Sequence, residues 1–507
     1  MPKILLVNPA QVYFAKTNRD SRQGSIGLPL GLLYVAAAFE AVGWEVRLFD
    51  SLMADTTTLT KDGPRTRFGS NSDELRRAVL GFGPDIVGIS SPFTTQEESV
   101  VEAARTIKDA QASVLVVVGG ANARPRAEQL LACPSVDLVV LGEGEGAAAA
   151  LAAYWRDERP LAEIPSIAYR QAGAVRRTAG PRENPALDAL PLPAYHLVDM
   201  ERYLSLHERG IYARDHDVRR AVPVITSRGC PHRCIFCSIH QSMGRTWRAH
   251  SAEHLRRHIR LLAERYGAAH IHFEDDNLLV DIERFLQVLD VLAEKHLSWD
   301  TPNGIRVDLR ISEEVLRRFQ SAGCRSLNIG VESGDQEVLD KIVRKGINLG
   351  DVEEFARRCW KVGLPLRAFF ILGFPGETIE TMTRTADFAL SLADRYDVGI
   401  INLIATPLSG TALFDVCQDN GYFAEPITPR ALSESVISDG YGLIDTPQFS
   451  HRDVECLSRR LTAQAQRRQI LKRGLRHPIR SLRRMGNAYT LMRTLKKAFL
   501  DCGFPAL

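Results

Sequence analysis

Short apolar segments alternate with longer amphipathic segments along the first 160 residues, and this alternation constrains the fold more than any other feature of the chain. The apolar segments have the length of strands, and the segments between them have the periodicity of helices. The predicted strands are 4–7, 45–49, 86–90, 114–118 and 138–141. Strands that alternate with helices form a parallel sheet covered on both faces, so we expect a doubly wound α/β domain here.

A second alternating run extends from Ala221 to about Pro407 and contains six candidate strands. These are 222–226, 270–273, 299–303, 326–330, 366–372 and 399–404. Because helical segments lie between them, the pattern predicts a partial (β/α)6 barrel, whose chemistry should gather at the carboxyl ends of the strands. We therefore expect an N-terminal domain over 1–160, a linker over 161–215, the barrel over 216–430 and a basic helical region over 431–507.

Three cysteines, Cys230, Cys234 and Cys237, occur in the spacing C-x3-C-x2-C directly after the first strand of the second run. Thiolates are soft ligands, and three of them in one loop select zinc or an iron–sulfur cluster. Zinc would need a fourth ligand such as His232 or His240, and a disulfide with one spare thiol is another alternative. Zinc sites usually show paired C-x2-C knuckles, so the triplet favours an iron–sulfur cluster with one open coordination position.

Polar segments follow three later strands of the predicted barrel. They are Glu-Asp-Asp-Asn at 274–277, Gly-Val-Glu-Ser-Gly at 330–334 and Gly-Phe-Pro-Gly-Glu-Thr at 373–378. Each could be an ordinary helix cap or turn. The carboxyl ends of barrel strands meet at one face, however, so their order behind the cysteines favours a shared binding site.

Small residues follow three strands of the N-terminal domain. The segments are Asn-Pro-Ala at 8–10, Gly-Gly-Ala-Asn-Ala at 119–123 and Gly-Glu-Gly-Glu at 142–145. Ligands of doubly wound sheets sit outside the carboxyl ends of the strands, where glycine lets the backbone approach them closely. One such loop alone would be a simple turn, but three together favour a large ligand.

The run 227–237 resembles the signature of radical S-adenosylmethionine (SAM) enzymes, and the glycine-rich loops with segment 29–34 resemble the cobalamin-binding domain of one subclass of this superfamily. The resemblance implies a Rossmann-like cobalamin-binding domain before a radical SAM barrel, and a [4Fe-4S] cluster on the three cysteines, which are also the catalytic residues. It implies that SAM is bound by Phe236, Asp275, Asp276, Glu332, Ser333 and Gly373. It implies that cobalamin is bound by Asn8, Pro9, Gly119, Gly120, Ala121, Gly142, Glu143 and Gly144. The chain has no Asp-x-His-x-x-Gly motif, and Asn122 stands where a cobalt ligand would be sought.

The chain looks most like class B radical SAM C-methyltransferases of natural-product pathways. That resemblance implies that a 5'-deoxyadenosyl radical abstracts hydrogen from a substrate carbon, which then receives a methyl group from methylcobalamin. Relatives with the same motifs close or contract rings, so a cyclase or rearrangement enzyme is the alternative, and a corrinoid-binding regulatory module is a third possibility. The expected partners are a small-molecule or natural-product substrate and a flavodoxin or ferredoxin as electron donor.

Charge is unevenly distributed along the chain. The net charge of +3 argues against a nucleic-acid-binding surface over the whole protein. Between Ser458 and Lys497 there are 13 Lys or Arg and no Asp or Glu, and apolar residues recur at helical spacing from Leu471 to Met492. This pattern predicts an amphipathic basic helix that packs on the barrel, or alternatively contacts a membrane surface. The N-terminus has no secretory leader, and the remaining cysteines are scattered singly, so we expect a cytoplasmic protein.

Overall fold

The computed structural model describes residues 1–14, 26–180, 183–184, 186–208, 218–307, 310–437 and 441–476 of the 507-residue chain. Its strands are β1 Lys3–Asn8, β2 Gln11–Phe14, β3 Glu45–Asp50, β4 Thr58–Asp62, β5 Arg65–Gly69, β6 Ile86–Ser90, β7 Leu115–Gly119, β8 Leu138–Val140, β9 Ile167–Gln171, β10 Ala174–Arg177, β11 Ala221–Val224, β12 Ser227–Arg228, β13 Arg248–Ala249, β14 His270–Phe273, β15 Ser298–Asp300, β16 Cys324–Glu332, β17 Leu366–Leu372 and β18 Gly399–Ile404.

Its α-helices are α1 Leu30–Ala41, α2 Ser72–Phe82, α3 Glu97–Ala110, α4 Ala127–Leu131, α5 Gly144–Trp155, α6 Met200–Glu208, α7 Ile239–Ser242, α8 Ala252–Tyr266, α9 Ile282–Leu286, α10 Leu289–Glu294, α11 Glu313–Ser321, α12 Leu349–Val362, α13 Ile379–Tyr396, α14 Ala412–Asp419, α15 Pro429–Ile437 and α16 His451–Arg476. None of the helices within the described ranges combines the length and the hydropathy needed to cross a bilayer.

The N-terminal sheet has the order β10-β9-β8-β7-β6-β1-β3, and its five strands from β3 to β8 are parallel. Successive side chains of a strand point to opposite faces, so Leu5 packs under α2 and α3 while Ile4 packs under α1 and α5. Each face is therefore a separate apolar core. The predicted doubly wound α/β fold is confirmed.

Two parts of the N-terminal region differ from the predicted strand list. The antiparallel strands β9 and β10 extend the main sheet past residue 160. The strands β2, β5 and β4 form a separate antiparallel sheet. The backbone N–H of Phe14 in β2 donates to the Ser433 hydroxyl of α15 at 2.9 Å, so this small sheet contacts the C-terminal region.

The barrel sheet has the order β11-β14-β15-β16-β17-β18, and all of its neighbouring strands are parallel. Phe273, Trp299, Phe285 and Phe319 join the strands β14 and β15 to the helices α9 and α11 through edge-to-face contacts of 5.3–5.8 Å. The predicted six-stranded partial barrel is confirmed.

Helix α16 packs against the last barrel strand. The Asn402 amide of β18 donates to the Ser458 hydroxyl at 2.7 Å, and Val454 and Leu461 are buried in the barrel core. The described part of the basic region thus belongs to the body of the barrel. The predicted basic helix beyond residue 476, and the side chains from Leu471 to Met492 on which it rests, lie outside the described residues.

Candidate functional site

The three cysteines lie on a loop that leaves β12 and closes against two other segments. The Cys230 amide donates to the Gly244 carbonyl at 3.3 Å, and the Ile235 amide donates to the Val343 carbonyl at 3.1 Å. Gly229 has φ +82°, and a Cβ atom there would lie 2.3 Å from the Thr246 carbonyl oxygen. Only glycine fits this position, so the sequence Gly-Cys is required for the chain to enter the loop.

The spacing and the protonation state of the three thiols determine which metal centre they can bind. All three are free of disulfide bonds. Thiolates suit either zinc or an iron–sulfur cluster, so the choice between them rests on the C-x3-C-x2-C spacing. Burial raises the pKa of Cys237 to about 11, so bound metal must favour the thiolate.

The adjacent carboxyls Asp275 and Asp276 follow β14 but have different surroundings. Asp275 is 2% exposed and accepts hydrogen bonds from the Thr226 amide, the Thr226 hydroxyl and the Ser227 hydroxyl. It therefore anchors the segment that precedes the cysteines. Burial, reinforced by the neighbouring Asp275, raises the pKa of Asp276 to about 7. Thr226 and Ser227 occupy Asp275, so Asp276 is the one of the two predicted SAM ligands that these residues leave available.

Two of the predicted SAM-binding positions meet behind the cysteines. The ring of Phe236 packs against Phe374 with a centroid distance of 5.8 Å. Phe374 follows Gly373, whose φ of +92° is a conformation that glycine adopts readily. The amides of Gly373 and Phe374 both donate to one oxygen of the buried Glu377 carboxyl, at 2.9 and 2.8 Å. Glu377 thus holds the shape of the loop that carries Gly373.

Stability should depend on pH through Glu377. Burial raises the pKa of this carboxyl from its ordinary 4.5 to about 7. The folded state then binds the proton more tightly than the unfolded state, so the free energy of unfolding should fall by about 3 kcal/mol as pH rises from about 4.5 to 7. A Glu377→Gln variant keeps an acceptor for both amides and loses this titration. Urea unfolding should show similar stabilities near pH 4.5, where the wild-type carboxyl is protonated and resembles the glutamine amide, and a wild type that falls below the variant as pH rises to 7. Glu380→Gln, at an exposed carboxyl, should leave the pH dependence of wild-type stability unchanged.

Glu332 and Ser333, the predicted ribose contacts, end β16 in unusual surroundings. Glu332 has φ +73°, and its carboxylate pairs with the Lys345 ammonium at 2.7 Å. Lys345 and Arg306 both act electrostatically on Cys234, so two cations lie near the cysteine loop. The Ser333 hydroxyl is buried 3.0 Å from that of Thr385. Glu332 is therefore held near the cysteines, while Ser333 supports the turn behind it.

A cavity of about 190 Å³ lies between the N-terminal sheet and the barrel. On the sheet side it is lined by apolar strand residues and by the loops after β7 and β8. On the barrel side it is lined by Gln241, Ser242 and Met243, which directly follow the cysteine loop. An apolar cavity of this kind accommodates the apolar body of a cofactor. Whatever fills it lies beside the segment that carries the cysteines.

Three glycines around this cavity pack closely against neighbouring protein atoms. An added Cβ would lie 2.8 Å from the Ser91 carbonyl at Gly120, 2.7 Å from Val35 at Gly144 and 2.8 Å from Leu6 at Gly88. A side chain at any of these positions would push into neighbouring protein atoms, so glycine keeps the wall closely packed and leaves its backbone open to a large flat ligand.

Most of the predicted cobalamin-binding residues line the cavity. These are Gly119, Gly120, Ala121, Gly142, Glu143 and Gly144. Asn8 and Pro9 are not among the lining residues, and the Asn8 amide donates to Asp50 at 2.9 Å. The Asn122 amide is engaged by Ser91 and Thr94, so it is not aimed into the cavity.

Tyr34, in the segment 29–34 that carried part of the resemblance, also lines the cavity. Several other lining residues were missed by the sequence interpretation, namely Gly88, Arg124, Gln241 and Met243. Gly88 could have been found, because a glycine inside a strand often marks close approach by a ligand. The others lie in segments without any distinctive spacing.

Comparison with known families identifies both halves of this site. Residues 22–152 match the family model of the B12 binding domain, and residues 224–389 match that of the Radical SAM superfamily. The chain is a B12-binding radical SAM protein. The predicted family is thereby confirmed, and the cavity of this radical SAM protein lies where its two family domains meet.

Three known proteins show the extent of the likeness. The cytidylyl-2-hydroxyethylphosphonate methyltransferase of Streptomyces wedmorensis is 28% identical over 454 residues, or 83% of this chain and 82% of that one. The cobalamin-dependent SAM radical enzyme OxsB, solved with aqua-cobalamin and SAM, superposes with a TM-score of 0.70 at 17% identity, covering 99% of this chain and 72% of that one. TsrM of Kitasatospora setae, solved with tryptophan substrate and a SAM analogue, gives 0.62 at 21% identity, with coverages of 84% and 78%. The two structures show that the fold of this B12-binding radical SAM protein is shared.

Proposed function

We propose that this protein is a cobalamin-dependent radical SAM methyltransferase that adds a methyl group to a carbon atom of a small molecule. The observation that carries the proposal is the position of the cavity. Its glycine-rich wall belongs to the B12 binding domain, and its opposite wall follows the cysteine loop without a break. The methyltransferase of Streptomyces wedmorensis, which this chain matches over most of its length, supports the same reaction class.

The side chains have separable tasks in this proposal. Cys230, Cys234 and Cys237 would hold a [4Fe-4S] cluster and leave one iron for SAM, while Glu332, Asp276 and the Gly373 loop would orient SAM beside Phe236. The glycine loops at 119–121 and 142–144 would hold cobalamin. When bound, these cofactors supply the radical and the methyl group, and the protein supplies orientation and a buried site.

The cluster needs an electron at low potential, so a flavodoxin or ferredoxin is the proposed donor. A reducing compartment such as the cytoplasm suits both the donor and the free cysteines. Peripheral membrane contact through the basic C-terminal helix stays a prediction, because the residues that would make it lie outside the described residues.

The experiment uses the purified chain, loaded anaerobically with iron, sulfide and hydroxocobalamin and then given SAM and a strong reductant. We expect both 5'-deoxyadenosine and methylcobalamin to form, the second with S-adenosylhomocysteine as its co-product. Formation of 5'-deoxyadenosine without methylcobalamin would favour the cyclase or rearrangement alternative. Formation of neither product would favour a regulatory module and contradict the proposal.

A further inference from the structure

Four charged side chains form a buried bridge between the N-terminal domain and the barrel. Arg228 lies 3.1 Å from Glu143 and 2.7 Å from Glu145, and Arg248 lies 2.8 Å from Glu143. The Glu143 side chain is 3% exposed and the Arg228 side chain 5%. We call these four residues the interdomain bridge.

The glutamates of the bridge offset the repulsion between its two arginines. Arg228 and Arg248 are directly paired across the β12–β13 ribbon, and like charges in that position repel. Glu143 and Glu145 together balance the charges of the two arginines, and the backbone N–H of Asn184 donates to Glu143 at 2.9 Å. Removal of one partner from a buried ion pair leaves an uncompensated buried charge, which is strongly unfavourable.

The bridge restrains the segment that directly precedes the cysteine loop. Arg228 precedes Gly229 and Cys230 without any intervening residue. The opposite side of the same segment is held by Asp275, which accepts from Thr226 and Ser227. Glu143 of the N-terminal domain and Asp275 of the barrel thus both bind the segment 226–228, from opposite sides. The entry to the cysteine loop cannot shift relative to the glycine-rich loop 142–145 without breaking buried contacts.

The contacts of the bridge give Glu143 a role at the cavity that differs from the predicted binding of cobalamin. Both of its carboxylate oxygens are engaged by arginine guanidinium groups, and its position on the cavity wall is fixed by these contacts. The Arg228 guanidinium in turn lies 5.1 Å from the centre of the Tyr34 ring, another residue of the wall. Glu143 therefore shapes the wall through its partners on the barrel.

We propose that the interdomain bridge positions the cobalamin loop against the cluster loop, with Glu143 and Arg228 as positioning residues for the transfer of a methyl group between SAM and cobalamin. This inference rests on the proposed function for its catalytic consequence. Its structural consequence, that the segments 226–230 and 142–146 hold each other in place, is independent of any cofactor.

The test compares Glu143→Gln with wild type and with Glu98→Gln, a matched change at an exposed ion pair of the same domain. Hydrogen–deuterium exchange of the full chain without cofactors should become faster in both segments, 226–230 and 142–146, in Glu143→Gln alone. At saturating cobalamin, methylcobalamin formation should fall by about 10- to 100-fold, the range expected when reacting groups are slightly misplaced. Reductive cleavage of SAM to 5'-deoxyadenosine should fall much less, because Asp275 still holds Thr226 and Ser227 from the barrel side in the variant.

Each result decides one question. A fall in methylcobalamin formation out of proportion to SAM cleavage supports positioning by the bridge. Equal losses of both activities, or a loss of neither, would overturn it, since equal losses indicate general structural damage. If wild type makes neither product, the proposed function fails instead. The exchange data would then still support or overturn the mutual restraint of the two segments.

Discussion

Replacement of Cys234 by alanine should remove the iron–sulfur cluster and with it the cleavage of SAM. The loop that carries the three thiols is held by backbone hydrogen bonds from Cys230 to Gly244 and from Ile235 to Val343. Loss of one of them leaves two ligands, and the protein has no spare thiol in the loop to replace it. Burial raises the pKa of Cys234 and of Cys237, so the remaining thiol at 237 would return to its protonated form without metal. We expect iron content and 5'-deoxyadenosine formation to fall by at least about 100-fold, beyond the roughly 10- to 100-fold cost of losing an outer partner of a metal ligand.

Iron and sulfide per chain, measured after anaerobic reconstitution, would check this expectation. Cys456→Ala provides the control, because Cys456 is an exposed cysteine of α16 and should leave both quantities unchanged. Wild-type protein that holds zinc at the triad, or a Cys234→Ala variant that retains its iron, would contradict the assignment. The chromatography of 5'-deoxyadenosine gives an independent reading of the same loss.

The fold could be predicted where strands carry a local signal. Both parallel sheets consist of short apolar runs followed by amphipathic helices, and this periodicity is visible without long-range information. The sheet of β2, β5 and β4 could not be found in this way. Every residue of β4 is exposed, and its sequence Thr-Leu-Thr-Lys-Asp has no apolar face. Its strands exist because they pair with one another, which sequence periodicity does not report.

The candidate site was predictable to the extent that its residues are close in sequence. The spacing of Cys230, Cys234 and Cys237 is informative by itself. Asp275 and Asp276 are neighbours with the same chemistry, yet only the fold turns one toward Thr226 and leaves the other near the cysteines. Their different parts follow from contacts nearly fifty residues away along the chain.

Ion pairs between residues far apart in the chain could not be predicted from sequence patterns. Glu143 sits in a glycine-rich loop, and the sequence therefore associated it with cobalamin. The structure pairs it with Arg248, which is 105 residues away. Nothing in the local sequence of Glu143 or Arg248 indicates that the two residues pair. Charged residues make up 25% of the chain, so each of them has many candidate partners.

Gly88→Ile should abolish high-affinity cobalamin binding while it preserves the fold. Gly88 lies inside β6 and lines the cavity, and its backbone does not adopt positive φ, so a side chain is conformationally allowed. The added Cβ would lie 2.8 Å from the end of the Leu6 side chain, which is buried and must shift to make room. We therefore expect the variant without cofactor to keep its fold but to lose about 1–3 kcal/mol of stability, the usual cost of overpacking a core. Because Gly88 lines the cavity, its added side chain would take up space there, and we expect hydroxocobalamin affinity to fall by about 100-fold.

Titration with hydroxocobalamin followed by absorbance measures the affinity, and thermal unfolding without cofactor reports the fold. Gly81→Ala is the matched control, because Gly81 lies in α2 with no atom within 4 Å of an added Cβ. This substitution should leave cobalamin binding unchanged and raise stability by about 1 kcal/mol, the helix preference of alanine over glycine. SAM cleavage should persist in Gly88→Ile, since the cysteine loop is distant from β6 in the chain and belongs to the barrel. Cobalamin binding within about threefold of wild type would show that the cavity is not the cofactor site, because a filled cavity cannot also hold the ligand.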